Sequence, residues 1–266
     1  MKTKLLSTTL IVLTIFSCNA QTGAPNPWPA IGSIPPPTGY HRPVLTGNPF
    51  GAWLRGIPLK RDRTVYLYNG QPKRNQDAQF AVLDISVGNA DLQQCADAVM
   101  RLRAEFLYAG KEWKAIDFYT EQGIRLNYGQ WIRQHPITRA GFDQYLTKVF
   151  TYCSTRTLEK QLTPKSLREI AAGDVLIKGG APGHAMIVVD VAEDAQGRRV
   201  YLLAQSYMPA QDIHLVRNPT EPAISPWYRA DLGQRTGETA QMTIETPEWT
   251  FTTNQLRTWP APPAKP

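Results

Sequence analysis

The sequence predicts an α+β fold, on three observations. Cys95, Val99, Leu102 and Phe106 recur at helical intervals on one face. Three apolar, strand-like runs follow, at 174–177, 184–191 and 200–204, parted by the glycines of 179–183 and by a turn at 194–197. Finally, 22 Pro and 19 Gly in 266 residues, 42% of them hydrophobic and only 19% charged, call for many irregular connections. Such a chain buries most of its apolar surface without disulfides, and repeat arrays or coiled coils fit it poorly.

In chain order, residues 1–20 read as an export signal: Lys2 and Lys4, an apolar stretch over 5–16, then Ser17, Cys18, Asn19 and Ala20. Two endings fit. Cleavage after Ala20 releases Gln21, whereas Ile15, Phe16, Ser17 and Cys18 form a degenerate lipoprotein box in which Cys18 carries the lipid and anchors the chain to a membrane. Either way the expected location is the periplasm or cell envelope. Residues 21–49, with Pro35-Pro36-Pro37, read as a Pro/Gly-rich arm or tether, 50–260 as a single α+β domain, and 261–266 as a disordered tail.

Within the domain, 64–68 before Asn69-Gly70 and 80–85 read as two strands of a hairpin-like element. Asp91 and Gln94 have capping-box spacing, which opens a helix over 92–108, and Asp97 with Arg101 supports it as an i,i+4 pair. No clear period marks 113–141. Phe142, Tyr145, Leu146 and Val149 predict a short amphipathic helix over 142–150, and 164–172 predicts another, closed by Gly173. The chain after 228 is irregular apart from a strand at 241–245.

The net charge of +7 falls to +5 when Lys2 and Lys4 leave with the signal. Basic residues lie singly or in pairs such as Lys73-Arg74 and Arg198-Arg199, among acidic ones, so no nucleic-acid partner is expected. His41, His135, His184 and His214 lack metal-ligand spacing, and Gly179, Gly180 and Gly183 lack the Walker Lys-Ser/Thr, so no cofactor or metal is expected. Trp227, Tyr228, Trp249 and Trp259 suit either a sugar-binding platform or aromatic anchors for the irregular tail.

Chemistry concentrates on Cys95, His184 and Gln205. A thiol at a helix start feels the positive end of the helix dipole, which favours thiolate, and a nearby imidazole completes a nucleophile. Against this, a lone cysteine on an apolar stripe is ordinarily a buried hydrophobe. Alternation puts His184, Met186, Val188 and Asp190 on one face, with Asp190 about 20 Å from His184 and unable to orient it. A four-residue turn at 194–197 makes Glu193 oppose Arg198, Met186 oppose Gln205 and His184 oppose Tyr207, so Gln205 shares the face of His184 and can fix its tautomer. Gln93 or Gln94 suits an oxyanion donor, and Gln94 equally suits a cap.

Cys95 at a helix start, Gly-Asp-Val at 173–175, Gly183-His184 and a polar residue on the third strand resemble the NlpC-type, papain-like cell-wall cysteine peptidases. That resemblance implies a helix bearing the Cys packed on an antiparallel sheet bearing the His, and a peptidoglycan stem-peptide substrate; Gln94-Cys95-Ala96 departs from that family's Asp-Cys-Ser. LQQCADAVMRLRAEFLY, GDVLIKGGAPGHAMIVVDVA, LAQSYMPAQDIH, SPWY and TPEWTF are similar to signature segments of a bacterial envelope family, domain of unknown function 4846. There Cys153 falls where the resemblance implies a small residue, which makes it incidental. Two functions are therefore expected: a cysteine amidase or endopeptidase, or an acyltransferase using the same acyl-enzyme, acting on peptidoglycan or another amide through Cys95, His184 and Gln205; or a noncatalytic envelope protein that binds glycan or a protein partner.

Overall fold

The computed structural model describes residues 24–231 and 242–260, so the stretch expected to be an export signal, with Cys18, as well as residue 241 and the expected tail at 261–266, lie outside the described residues. Five α-helices and twelve strands form among them, an α+β arrangement. The helices are α1 (Pro49–Arg55), α2 (Cys95–Ala109), α3 (Tyr128–Trp131), α4 (Arg139–Tyr152) and α5 (Thr155–Gln161). The strands are β1 (Gln79–Val82), β2 (Asp117–Tyr119), β3 (Arg125–Asn127), β4 (Thr163–Pro164), β5 (Val175–Lys178), β6 (His184–Glu193), β7 (Arg199–Gln205), β8 (His214–Val216), β9 (Tyr228–Arg229), β10 (Thr243–Glu245), β11 (Thr250–Thr252) and β12 (Leu256–Thr258). No described helix is long and apolar enough to cross a membrane.

An antiparallel sheet organises the molecule in the order β1-β8-β7-β6-β5-β12-β4, with β9 also on β7. β6 is buried along nearly its whole length, because both of its faces are covered. One face carries Ala185, Ile187, Val189, Leu202 and Ala204 against α1 and α2. The other carries Met186, Val188, Tyr201 and Leu203 against Leu167, Ile170, Ile244 and Phe251. Residues 24–48 lie across the domain, where Ile31 and Ile34 enter the core and Arg42 reaches Asp190.

Three expected elements come out differently. Residues 64–68 form no strand but isolated bridges, Tyr66 to Pro72 and Leu67 to Gln211, and β1 pairs with β8; no hairpin joins 64–68 to 80–85. The helix expected at 164–172 is replaced by β4 and a single 3-10 turn at Leu167–Glu169. Pro164 holds the preceding residue extended, β4 is recruited by β12, and the Asp174 carboxylate accepts the Ala171 N–H, so a helical ladder cannot propagate. The helix lies earlier, at α5, where Ser154 Oγ accepts the N–H groups of Arg156 and Thr157. The helix expected over 142–150 begins at Arg139, because Thr138 caps it through Gly141.

The β6–β7 hairpin departs from its expected register in a way that matters for the site. Glu193 opposes Arg199, one residue beyond Arg198, because Asp194 closes the turn by accepting from Arg198 N–H. Continued unbroken, that register would put Gln205 opposite Ile187. A bulge between Val188 and Asp190 takes up the extra residue, so that Val188 opposes Leu203 and Ile187 opposes Ala204. Gln205 thereby returns to the face of His184. The bulge also turns Asp190 to the opposite face from Met186 and Val188, where it accepts from Arg42 Nε at 2.6 Å and Arg55 Nε at 2.8 Å. The expectation that Asp190 shares the His184 face is therefore corrected.

Candidate active site

Cys95 is the first residue of α2, three residues later than the helix start expected from sequence. Asp97 sets that start: its Oδ2 accepts the Gln94 N–H at 3.0 Å, while Asp91, expected as the cap, accepts from Gln94 Nε2 at 3.2 Å and from Ala210 N–H. The Gln94 amide is thus committed to Asp91, and Gln93 turns its Oε1 to Arg101. The backbone N–H of Ala185, the residue next to His184, lies near enough to the Cys95 thiol to favour its ionised form. Cys95 therefore reaches the end of β6 from the α2 side of the sheet, while His184 and Gln205 stand on the other side.

His184 is held from several directions. Gly183 is obligatory before it, since a Cβ there would lie 2.3 Å from the Gly180 carbonyl oxygen and 2.8 Å from that of Lys178. The ring packs among Tyr207, Trp249 and Phe251, at centroid separations of 4.9, 5.2 and 5.9 Å. Its Nε2 lies 2.8 Å from Gln205 Oε1.

The neighbours of Gln205 fix which proton is where. Its Nε2 donates to Glu248 Oε2 at 2.8 Å and faces His214 Nε2 at 3.3 Å. His214 Nδ1 lies 2.9 Å from the Asp212 carbonyl oxygen, which only an Nδ1–H can satisfy, so His214 Nε2 is an acceptor. A carboxylate and an imidazole lone pair thus claim both amide protons, Oε1 must face His184, and His184 must carry its proton on Nε2. Nδ1, without a hydrogen bond among the described residues, keeps its lone pair. Lys73 Nζ donates to Glu248 Oε2 at 2.5 Å and Asn75 donates to Oε1, which completes the chain of partners.

Electrostatics oppose a resting ion pair. Burial, then the nearby Asp97 carboxyl, pushes the Cys95 thiol up to about 11. Burial, with Lys73 adding to it against the Gln205 hydrogen bond, brings His184 down to about 4. The helix terminus does not outweigh desolvation, so the thiolate expected from the dipole argument gives way to a neutral thiol, and the imidazole is neutral too. Cys153 is also free, and burial pushes it up to about 12.

Asp97 is itself pushed up to about 8 by burial from an ordinary 3.8. The fold favours its acid form, so its contribution is complete below the ordinary value and is lost as the pH rises through the folded one. Asp97→Asn, which cannot ionise, is expected to gain on the wild type between about pH 5 and about pH 8, by up to about 1.4 kcal/mol per pH unit. Denaturant titrations across that range check it; parallel stability profiles would show that Asp97 is not held protonated.

Of the residues expected from sequence, the fold brings His184 and Gln205 into direct contact and Cys95 to the adjacent backbone N–H. Sequence reasoning passed over Glu248, Lys73 and His214. The aromatic residues do not gather into a platform: Trp227 is buried and bonds Pro35, Tyr228 stacks on Tyr201, Trp249 lies on His184, and Trp259 stands beside Arg103. No curated protein matches the chain, and no solved structure matches it. Residues 32–258 match the family described as Domain of unknown function (4846), and the chain belongs to that family.

Proposed function

We propose that the protein is a cysteine amide hydrolase in which Cys95 is the nucleophile, His184 the general base through Nδ1, and Gln205 the residue that fixes the imidazole tautomer. The observation that carries this reading is the 2.8 Å contact between His184 Nε2 and Gln205 Oε1, which leaves the basic nitrogen free while the Cys95 thiol lies near the backbone N–H of the next residue, Ala185. Cys95 Sγ attacks the amide carbonyl as its proton passes round the end of β6, which the two residues approach from opposite faces, to His184 Nδ1. Backbone N–H groups at the start of α2 face the developing oxyanion. The C–N bond then breaks, and the amine leaves with the proton returned by Nδ1. Water, deprotonated by Nδ1, cleaves the thioester, releases the acid and restores the thiol. An amine in place of that water gives acyl transfer.

The papain-like arrangement is part of this proposal, supported by the Cys-bearing helix packed on the His-bearing sheet. So are export and an envelope location, supported by the Lys2-Lys4 and 5–16 pattern, with lipid anchoring if Cys18 is acylated. Peptidoglycan stem peptides are the proposed amide substrate, on the NlpC-type resemblance. A second reading, a noncatalytic envelope protein, draws on the burial that holds Cys95 as a thiol near 11.

Labelling by iodoacetamide, mapped by peptide mass spectrometry, separates the two. At about pH 7 a thiol near 11 labels slowly unless His184 takes the proton, so His184→Ala is expected to slow Cys95 labelling about a hundredfold. Labelling at Cys95 that is indifferent to His184, or confined to Cys153, favours the noncatalytic reading.

A further inference from the structure

A second site lies on the far flank of α2 and is independent of the Cys95 chemistry. Here a groove of about 780 Å³ runs between Arg103 and Leu107 on α2, the β2–β3 hairpin, the end of α5 and Trp259. Arg103 stacks over Phe50, Phe106 and Trp259, its guanidinium carbon 4.9, 5.5 and 5.4 Å from their ring centroids. Among the described residues none of its N–H groups finds an acceptor. Glu112, the acid that acts on it through space, forms no hydrogen bond or ion pair with it. Trp259, whose buried Nε1 has no partner, lines the same groove. Lys114 and Lys160, both exposed and outside any described ion pair, add two more positive charges to the lining.

The acidic groups of the groove are already engaged. Asp117 takes both of its oxygens to Arg125 Nε, at 2.9 and 2.8 Å, and Glu121 bonds Ser154 Oγ and lies 3.9 Å from Arg156. What remains is a planar donor fork backed by three aromatic rings, and two lysines with no carboxylate of their own. Guanidinium groups held this way ordinarily meet an anion bidentately. We propose that this groove binds a small organic oxyanion, a carboxylate or a phosphate carried on an aromatic or apolar body, with the anion on Arg103 and the body along Leu107 and Trp259.

The test uses the full chain labelled with 15N-tryptophan, the Trp259 indole resonance being assigned by Trp259→Phe. Benzoate and phenyl phosphate are titrated separately, with benzamide as the neutral control. The Trp259 indole signal is expected to move saturably with one or both anions and not with benzamide, and the arm that binds more tightly identifies the anion. Arg103→Gln should weaken binding at least about tenfold. Because Arg103 also packs on three rings, the exposed pair Lys114→Gln/Lys160→Gln provides a variant that spares the core, and it should weaken binding and flatten its salt dependence. No saturable shift with either anion, an equal shift with benzamide, or affinity unchanged in both variants would overturn the proposal.

Discussion

Glu248→Ala is expected to cost about 3–5 kcal/mol of stability, because it strands the Lys73 ammonium in a nearly closed site. Lys73 is 7% exposed, and Glu248 is the only acid it reaches among the described residues. Removing the lysine as well, as Lys73→Met/Glu248→Ala, should recover most of that loss, since an apolar replacement of a buried pair is often close to neutral. The chemistry should not recover with it. Without the carboxylate, only His214, at 3.3 Å, still orients the Gln205 amide, and part of the population turns Nε2 toward His184. The imidazole then places its proton on Nδ1 and loses the base. Chemical denaturation of the two variants checks the first half. Long-range 15N spectra of the His184 ring check the second, with the wild type expected as the Nε2–H tautomer and the double variant as a mixture. A single Nε2–H tautomer in the stable double variant would remove Glu248 from the positioning chain.

Asp190→Ala should be comparably severe, with a loss of about 3–5 kcal/mol. The carboxylate is fully buried and takes two guanidinium groups, Arg42 from the N-terminal segment and Arg55 from the end of α1. Those arginines also bond carbonyl oxygens of Ile34 and Pro43, so the loss releases the segment that carries Ile31 and Ile34 into the core. The thermal midpoint should fall, and limited proteolysis should gain cuts near Arg42. Since Asp190, Arg42 and Arg55 form no hydrogen bond with α2, His184 or Gln205 among the described residues, the Nε2–H tautomer of His184 should persist in whatever fraction remains folded. Fast cleavage around Arg42 without a drop in midpoint would mean that the segment is not integral to the fold.

The sequence exposed the parts of this fold whose signals are local. The period of α2 is visible because Val99 and Leu102 are core residues on one stripe, and β5, β6 and β7 because buried strands read as apolar runs. Pro164 misled because residues 164–172 resemble a helix opening, yet β12, nearly a hundred residues later, captures Thr163 and Pro164 as an edge strand. No local rule sees that partner. The site divides the same way. Cys95, His184 and Gln205 stood out by residue type and order. Glu248 lay inside TPEWTF, and Lys73 looked like one more scattered charge, because what makes them matter is a contact 175 residues apart in sequence. The inference that Gln205 faces His184 was right at the site although its starting pair, Glu193 with Arg198, was wrong. The bulge supplied the correction.

That bulge gives the hairpin two phases, one for the turn and one for the site. Between them, Val189 is an inserted letter, and the bulge that skips it restores the reading frame. Deleting it would remove the need for the bulge: the register that starts at Glu193 and Arg199 would run straight through to Val188 and Leu203, and Gln205 would stay on the face of His184. The same hairpin would tolerate a loss of one residue there far better than a loss of two, which would leave a mismatch that needs a new bulge. Chain length between His184 and Gln205 is thus constrained by parity: a relative shorter by one residue would keep the pair without a bulge, and one with an even change would need a bulge as this chain does.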